Sequence, residues 1–150
     1  MSAGTIRVLI GGALFVHGLA HAMAMGALLA QSLGRRSSSW VSVRSWLFPS
    51  LSAQAAATRA SPFWLLSTLG FLAASMSFWG VLVPGDIWRQ LALGSSIVSI
   101  LGIAVFSGIW PGSPNPGRSI LNTLVALVMN LAVLVTQLGL HWPPQAMFGK

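Results

Sequence analysis

The 150-residue chain contains no cysteine and a single acidic residue, Asp86. Without cysteine it can form no disulfide, thiolate metal site or cysteine nucleophile, and one carboxylate side chain excludes a catalytic carboxylate pair. Charged residues make up 6% of the chain, against about 25% in soluble domains, whereas hydrophobic residues make up 55%. A water-exposed globular surface cannot be built from this composition, which is that of a membrane protein.

The basic residues separate long apolar runs and do not form a basic stripe. This pattern is typical of membrane flanks, so we expect membrane lipids and no nucleic acid as partners. The uncharged stretches 8–34, 60–85, 90–117 and 119–149 can each hold one helix of about 20 residues, the length that crosses a hydrocarbon core. The sequence therefore predicts an all-α, four-helix transmembrane bundle in one domain, residues 1–150, with helices at about 6–29, 62–83, 87–109 and 118–140.

The longest connection between the predicted helices, residues 34–61, mixes tryptophan and other apolar residues with serine and arginine. This composition predicts an amphiphilic segment that lies in the membrane interface. Two interpretations stay open: a lid packed on the end of the bundle, or a segment that docks a partner or covers a ligand.

Small residues recur at helical spacing in two predicted spans. Gly18, Ala22 and Gly26 follow one stripe of the first helix, and Gly94 and Gly102 mark a second stripe on the third. Stripes of this kind let helices approach closely in membranes, whether within one chain or between subunits.

Two histidines stand near the middle of the first predicted span. His17 and His21 are four residues apart, so both imidazoles lie on one helix face. Ionisable groups at this depth are costly unless they are paired, and they usually face the bundle interior. The pair is the strongest functional signal in the sequence.

Polar residues from the other helices fall at a similar depth. Counting from the end that holds both termini places His17, Ser75, Ser95, Ser99 and Asn130 within about four residues of one another, or roughly 6 Å along the membrane normal. We predict a polar layer there, with His17, His21, Ser95, Ser99 and Asn130 as the candidate cofactor-binding residues.

Four interpretations of this layer remain open. The side chains satisfy one another and hold the helices together, or they bind a buried ligand such as a quinone or carotenoid. In the other two, His17 and His21 relay protons, or they ligate a metal or haem. Metal ligation lacks support from further residues, because the predicted spans contain no Asp, Glu or Cys and His141 lies at the far end of the fourth helix.

The motifs His17-Gly18-x-x-His21, Trp64-Leu65-Leu66 and Ser95-Ser96-x-x-Ser99, with Asn122 and Asn130, stand in successive predicted helices. With them the chain resembles small bacterial four-helix integral membrane proteins that carry an H-G-x-x-H motif in the first helix, and it is more distantly similar to the DoxX-like proteins. The resemblance implies a four-helix bundle in the bacterial inner membrane and puts His17 and His21 forward for testing.

The distribution of arginine and lysine predicts the orientation. Arg7, Arg89 and Lys150 lie at the end that holds both termini, whereas Arg35, Arg36, Arg44, Arg59 and Arg118 lie at the other. The positive-inside rule then places both termini outside the cytoplasm.

Taken together, these features favour a non-catalytic accessory subunit of a larger electron-transfer or photosynthetic membrane complex, which binds or shields a carotenoid, quinone or lipid and contacts other membrane subunits. The alternative is a redox protein in which His17 and His21 bind haem or a metal. A small transporter is less favoured, because no span is visibly broken at mid-membrane.

Overall fold

A computed structural model describes residues 2–35, 40–106 and 110–144. It contains four helices, α1 (Ala3–Ser32), α2 (Ala53–Trp79), α3 (Trp88–Val105) and α4 (Pro116–Leu134), and α4 continues into a π-helical turn at Val135–Gly139. These residue ranges include no strand, and each helix is long and apolar enough to cross a membrane. The prediction of an all-helical, four-span membrane bundle is confirmed.

Capping side chains set where α1 and α4 begin. The Ser2 hydroxyl accepts a hydrogen bond from the Thr5 amide at 3.2 Å, and the Asn115 carboxamide accepts one from the Arg118 amide at 2.9 Å. Each satisfies a backbone donor that the first helical turn leaves open. Both helices therefore begin slightly before the predicted 6 and 118. Of the predicted third helix, 87–109, residues 107–109 lie outside the described residues.

The second helix differs most from the prediction, because it begins at Ala53 and not at Pro62. The Ser52 hydroxyl caps it by accepting from the Ala55 amide at 3.2 Å, and the alanine-rich residues that follow are strong helix formers. Pro62 is tolerated inside the helix at the expense of one backbone hydrogen bond. At the other end, Gly80 adopts the left-handed conformation, with φ 72°, and ends α2 before the predicted residue 83.

The predicted connection 34–61 is consequently shorter, and its residues 40–52 form a lid over one end of the bundle. The Val43 side chain is fully buried, the Ser45 hydroxyl donates to the Val105 carbonyl at 2.8 Å, and the Trp46 indole donates to the Ala104 carbonyl. These contacts tie the segment to the C-terminal end of α3. Residues 40–52 are therefore arranged as the first interpretation expects, packed on the end of the bundle. Residues 36–39 of the predicted connection lie outside the described residues.

Glycines allow close packing at some of the predicted small-residue positions. A Cβ added at Gly102 would lie 2.8 Å from the Cβ of Phe63, and one at Gly18 would lie 3.0 Å from the Leu72 side chain, so both glycines touch α2. Gly26 and Gly94 face open space. In each stripe, therefore, one glycine packs against another helix of this chain and the other does not.

The apolar core consists of two clusters. One, around Leu14, Phe71, Phe78 and Trp88, lies towards the end that holds both termini; the other, around Leu28, Ala57, Trp64, Phe106 and Trp110, lies beneath the lid. Along α1 the clusters are separated by the turn that carries His17 and His21. The candidate polar layer thus occupies the middle of the bundle.

α1 packs along α2, α2 on α3 and α3 on α4, whereas α1 and α4 approach each other less closely. Two cavities lie along this α1–α4 seam, one towards the end that holds both termini and the other at the level of the histidines and beyond it. The seam therefore contains space that a ligand could occupy, and His17 lines one of its two cavities.

We predict that Gly102→Ala destabilises the bundle by about 1–3 kcal/mol, because the added methyl group overlaps Phe63. Gly94→Ala on the same helix is the matched control. It adds a methyl group in open space and should be neutral or stabilising by up to about 1 kcal/mol. Unfolding in mixed detergent micelles measures both free energies, and equal effects would contradict this packing of α3 on α2.

Candidate functional site

The histidine pair lies inside the bundle, with 6% of His17 and 1% of His21 exposed. The His21 Nδ1 lies 3.0 Å from the backbone carbonyl oxygen of His17, one helical turn earlier. The two rings meet edge to face, with their centroids 4.6 Å apart. The spacing of four residues therefore does more than place the rings on one face, since it lets His21 bond to the backbone of its partner.

Asn130 of α4 and Ser99 of α3 connect the two histidines into one hydrogen-bonded chain. The His17 Nε2 lies 3.0 Å from Asn130 Oδ1, Asn130 Nδ2 donates to Ser99 Oγ at 2.8 Å, and Ser99 Oγ lies 2.8 Å from His21 Nε2. Ser99 is 4% exposed and Asn130 is fully buried. The chain joins α1, α3 and α4 at mid-membrane.

The partners determine which nitrogen of each neutral imidazole carries the proton. A carbonyl oxygen only accepts, so His21 donates from Nδ1 and its Nε2 accepts the Ser99 hydroxyl proton. The Ser99 oxygen in turn accepts from the Asn130 amide, which leaves Asn130 Oδ1 to accept from the Nε2–H of His17. The two histidines are therefore opposite tautomers, and His17 keeps a lone pair on Nδ1.

The same argument fixes the orientation of the Asn130 amide. If its oxygen and nitrogen were exchanged, the oxygen would need the Ser99 proton that His21 Nε2 already accepts. A serine hydroxyl has one proton, so the reversed amide would leave an acceptor without a donor. In the orientation of the structure, Asn130 Oδ1, Ser99 Oγ and His21 Nε2 each accept one hydrogen bond from a matching donor.

Aromatic side chains surround the histidines. The Phe71 ring from α2 packs edge to face on His17 at 4.6 Å between centroids, and the Trp110 ring packs in the same manner on His21 at 5.1 Å. Sequence reasoning missed both contacts, because neither residue stands at a spacing that links it to the motif. These rings exclude lipid and water from one side of the pair.

Of the predicted site residues, the structure brings together His17, His21, Ser99 and Asn130 but not the hydroxyl of Ser95. Ser95 Oγ donates to the Leu91 carbonyl of its own helix at 2.6 Å. Ser75, at the same predicted depth, donates to the Gly11 carbonyl at 2.8 Å and so links α2 to α1. Depth alone could not distinguish them, because the rotation of each helix decides where a hydroxyl points.

The hydrogen bonds also bear on the metal and haem interpretation. Both ring nitrogens of His21 are engaged, so ligation by this residue would require breaking one of its bonds. The described residues contain no group of three or more His, Cys, Asp or Glu that could hold a metal ion. Of the four ring nitrogens of the pair, His17 Nδ1 is the one that the hydrogen-bonded chain leaves free to ligate a metal.

His17 also lines a cavity of about 350 Å³ in the α1–α4 seam, which we call the histidine cavity. Its walls are otherwise mostly apolar: Ala20 and Met23 from α1, Leu121, Asn122, Val125 and Ala126 from α4, and Trp110. The volume is within the range of small-molecule sites, and a few polar groups among apolar ones are typical of such sites. Within the described structure no hydrogen bond uses His17 Nδ1, and Asn122 makes one long bond, 3.4 Å, to the Ser113 hydroxyl.

No protein-family model, curated protein or solved structure matches this chain. The resemblance to the H-G-x-x-H membrane proteins therefore stays a prediction, and the functional argument depends on the geometry of the site.

Removing Asn130 should destabilise the bundle. Asn130→Leu keeps the size of the side chain but leaves the donor of His17 and the oxygen of Ser99 unpaired in the interior, at a cost of about 1–2 kcal/mol. Ser95→Ala removes a hydroxyl that bonds only within its own helix, and it should change the free energy of unfolding by less than about 0.5 kcal/mol. Unfolding in mixed micelles compares the two variants. Similar losses in the free energy of unfolding would contradict the hydrogen-bonded chain through Asn130.

Nitrogen-15 NMR of histidine-labelled protein should show two opposite neutral tautomers. We expect the proton on Nδ1 of His21 and on Nε2 of His17, because of the acceptors that each faces. The variant His141→Gln removes the third histidine signal, and His21→Gln assigns the remaining two. Identical tautomers at both positions would contradict the hydrogen-bond order.

Proposed function

We propose that this protein is a non-catalytic membrane subunit that holds one hydrophobic ligand in the histidine cavity, and that the ligand carries a hydroxyl group or a similar hydrogen-bond donor. Quinols and hydroxylated carotenoids are the classes that fit. The observation that carries the proposal is the lone pair on His17 Nδ1, on a residue that lines a mostly apolar cavity in the seam.

The polar chemistry of the cavity favours a donor on the ligand. Because His17 uses its one N–H to bond Asn130, the ring nitrogen that it has left for a ligand is an acceptor and not a donor. Asn122 supplies an amide, which can both donate and accept, on the facing helix. A ligand with a hydroxyl group can therefore bond to His17, whereas a ligand with carbonyl groups alone could use only the Asn122 side.

The hydrogen-bonded chain also supports a binding role without catalysis. Three of its four side chains, those of His21, Ser99 and Asn130, have their polar atoms committed to one another, to the Nε2 of His17 and to the backbone. The one acidic residue of the chain, Asp86, is exposed in the connection between α2 and α3, away from the histidines. The arrangement supports a pre-organised binding wall more than a proton-transfer site.

We further propose an accessory role beside other membrane subunits, because most of the described chain lies in its membrane-spanning helices and the lid packs against them. The bacterial inner membrane, which the resemblance implies, and the placement of both termini outside the cytoplasm belong to the same proposal. The distribution of basic residues supports the orientation.

The binding proposal is tested by filling the cavity. Val125 lines the histidine cavity and is 55% exposed, so Val125→Trp should fill the space without disturbing the core. We expect the purified wild-type protein to retain a hydroxyl-bearing lipophilic molecule. The variant should retain at least tenfold less of this molecule per protein. Gentle detergent extraction, followed by an absorption spectrum and mass spectrometry of all co-purifying molecules, measures this.

Val128→Trp is the matched control, since Val128 is 64% exposed on the same helix and does not line this cavity. It should retain the ligand. Retention by Val125→Trp would refute the site, and a ligand without any hydrogen-bond donor would refute the role of His17 Nδ1. A monodisperse wild-type monomer that carries neither ligand nor partner would refute the function as a whole.

A further inference from the structure

Arg89, the second residue of α3, is held firmly at the end of the bundle that contains both termini. Its Nε donates to the Gln137 side chain at 3.0 Å and its Nη2 donates to the Pro143 carbonyl at 3.1 Å. The guanidinium carbon also lies 5.7 Å from the centre of the Trp88 ring. Gln137 belongs to the π-helical turn and donates in turn to the Trp142 carbonyl at 2.7 Å, which anchors the acceptor.

The charge of Arg89 is not balanced by these partners. Both acceptors are neutral, and the interactions that the structure gives for Arg89 include no carboxylate. A guanidinium group has five N–H donors, and the hydrogen bonds to described residues use two of them, so three are left for another acceptor. Since Arg89 lies at the start of a membrane-spanning helix, it is at the level where lipid headgroups lie.

An apolar groove of about 240 Å³ begins beside this cation, which we call the Arg89 groove. Each of the groups that Arg89 contacts, Gln137, Pro143 and Trp88, also lines the groove. From there the groove runs between α1 and α4, where Ala13 and Ala132 are exposed in its walls. A fixed cation at one end of an apolar channel is complementary to a negatively charged headgroup followed by a hydrocarbon chain.

We propose that the Arg89 groove is a specific site for an anionic phospholipid, with the phosphate on the guanidinium of Arg89 and an acyl chain between α1 and α4. Arginine suits this role because its planar fork binds phosphate oxygens in pairs. The site is separate from the histidine cavity, since the two share no lining residue. It is therefore tested independently of the proposed function.

The test uses the full chain in detergent, with dioleoyl phosphatidylglycerol and dioleoyl phosphatidylcholine as probes and native mass spectrometry to count bound lipid. We expect the anionic lipid to bind more tightly than the zwitterionic one. Arg89→Gln should weaken phosphatidylglycerol binding by about fivefold, the effect of one interfacial cation. Arg118→Gln, which removes one exposed charge at the opposite end, should leave the binding unchanged.

A second variant tests the acyl-chain part of the site. Ala132→Phe fills the groove from an exposed position and leaves Arg89 with its two hydrogen bonds, so it stays informative if Arg89→Gln does not fold. It should also weaken phosphatidylglycerol binding. Equal binding of the two lipids, equal effects of Arg89→Gln and Arg118→Gln, or full competition by soluble glycerol 3-phosphate would each overturn the proposal, the last because it would identify a site for free phosphate.

Discussion

The hydrogen-bonded chain through His17, Asn130, Ser99 and His21 is the interaction on which the middle of this bundle depends. In a bilayer there is no water to compensate an unpaired polar group, so each of these side chains is tolerable only because the next one satisfies it. The chain is also directional. The backbone carbonyl of His17 fixes the proton of His21, and every later donor and acceptor follows from it.

One bond of the same hydrogen-bonded chain crosses the open seam of the bundle. α1 and α4 are joined at mid-membrane by the bond between His17 and Asn130, and the two cavities of the seam lie on either side of that bond. Between these cavities the bond connects two helices that otherwise approach each other less closely than the other neighbouring pairs.

Much of the fold was predictable because it follows from composition and length. Long uncharged runs can only be spanning helices in this setting, and the four observed helices agree with that. The helix ends were less predictable, because they depend on single caps. Ser52 and the alanines after it start α2 well before Pro62, and the proline suggested a boundary where the structure has none.

The sequence by itself determined the fold class, the number of spans and the common face of His17 and His21, since two side chains four residues apart on a helix must share a face. It also placed Asn130 and Ser99 at the correct depth. Only the tertiary structure decided which polar side chains meet, because the rotation of each helix turns the Ser99 hydroxyl towards His21 and leaves the Ser95 hydroxyl on its own backbone. The contacts of Phe71 and Trp110 with the histidines, the open seam and the neutral partners of Arg89 likewise arise from packing between distant segments, for which no spacing in the sequence is a signal.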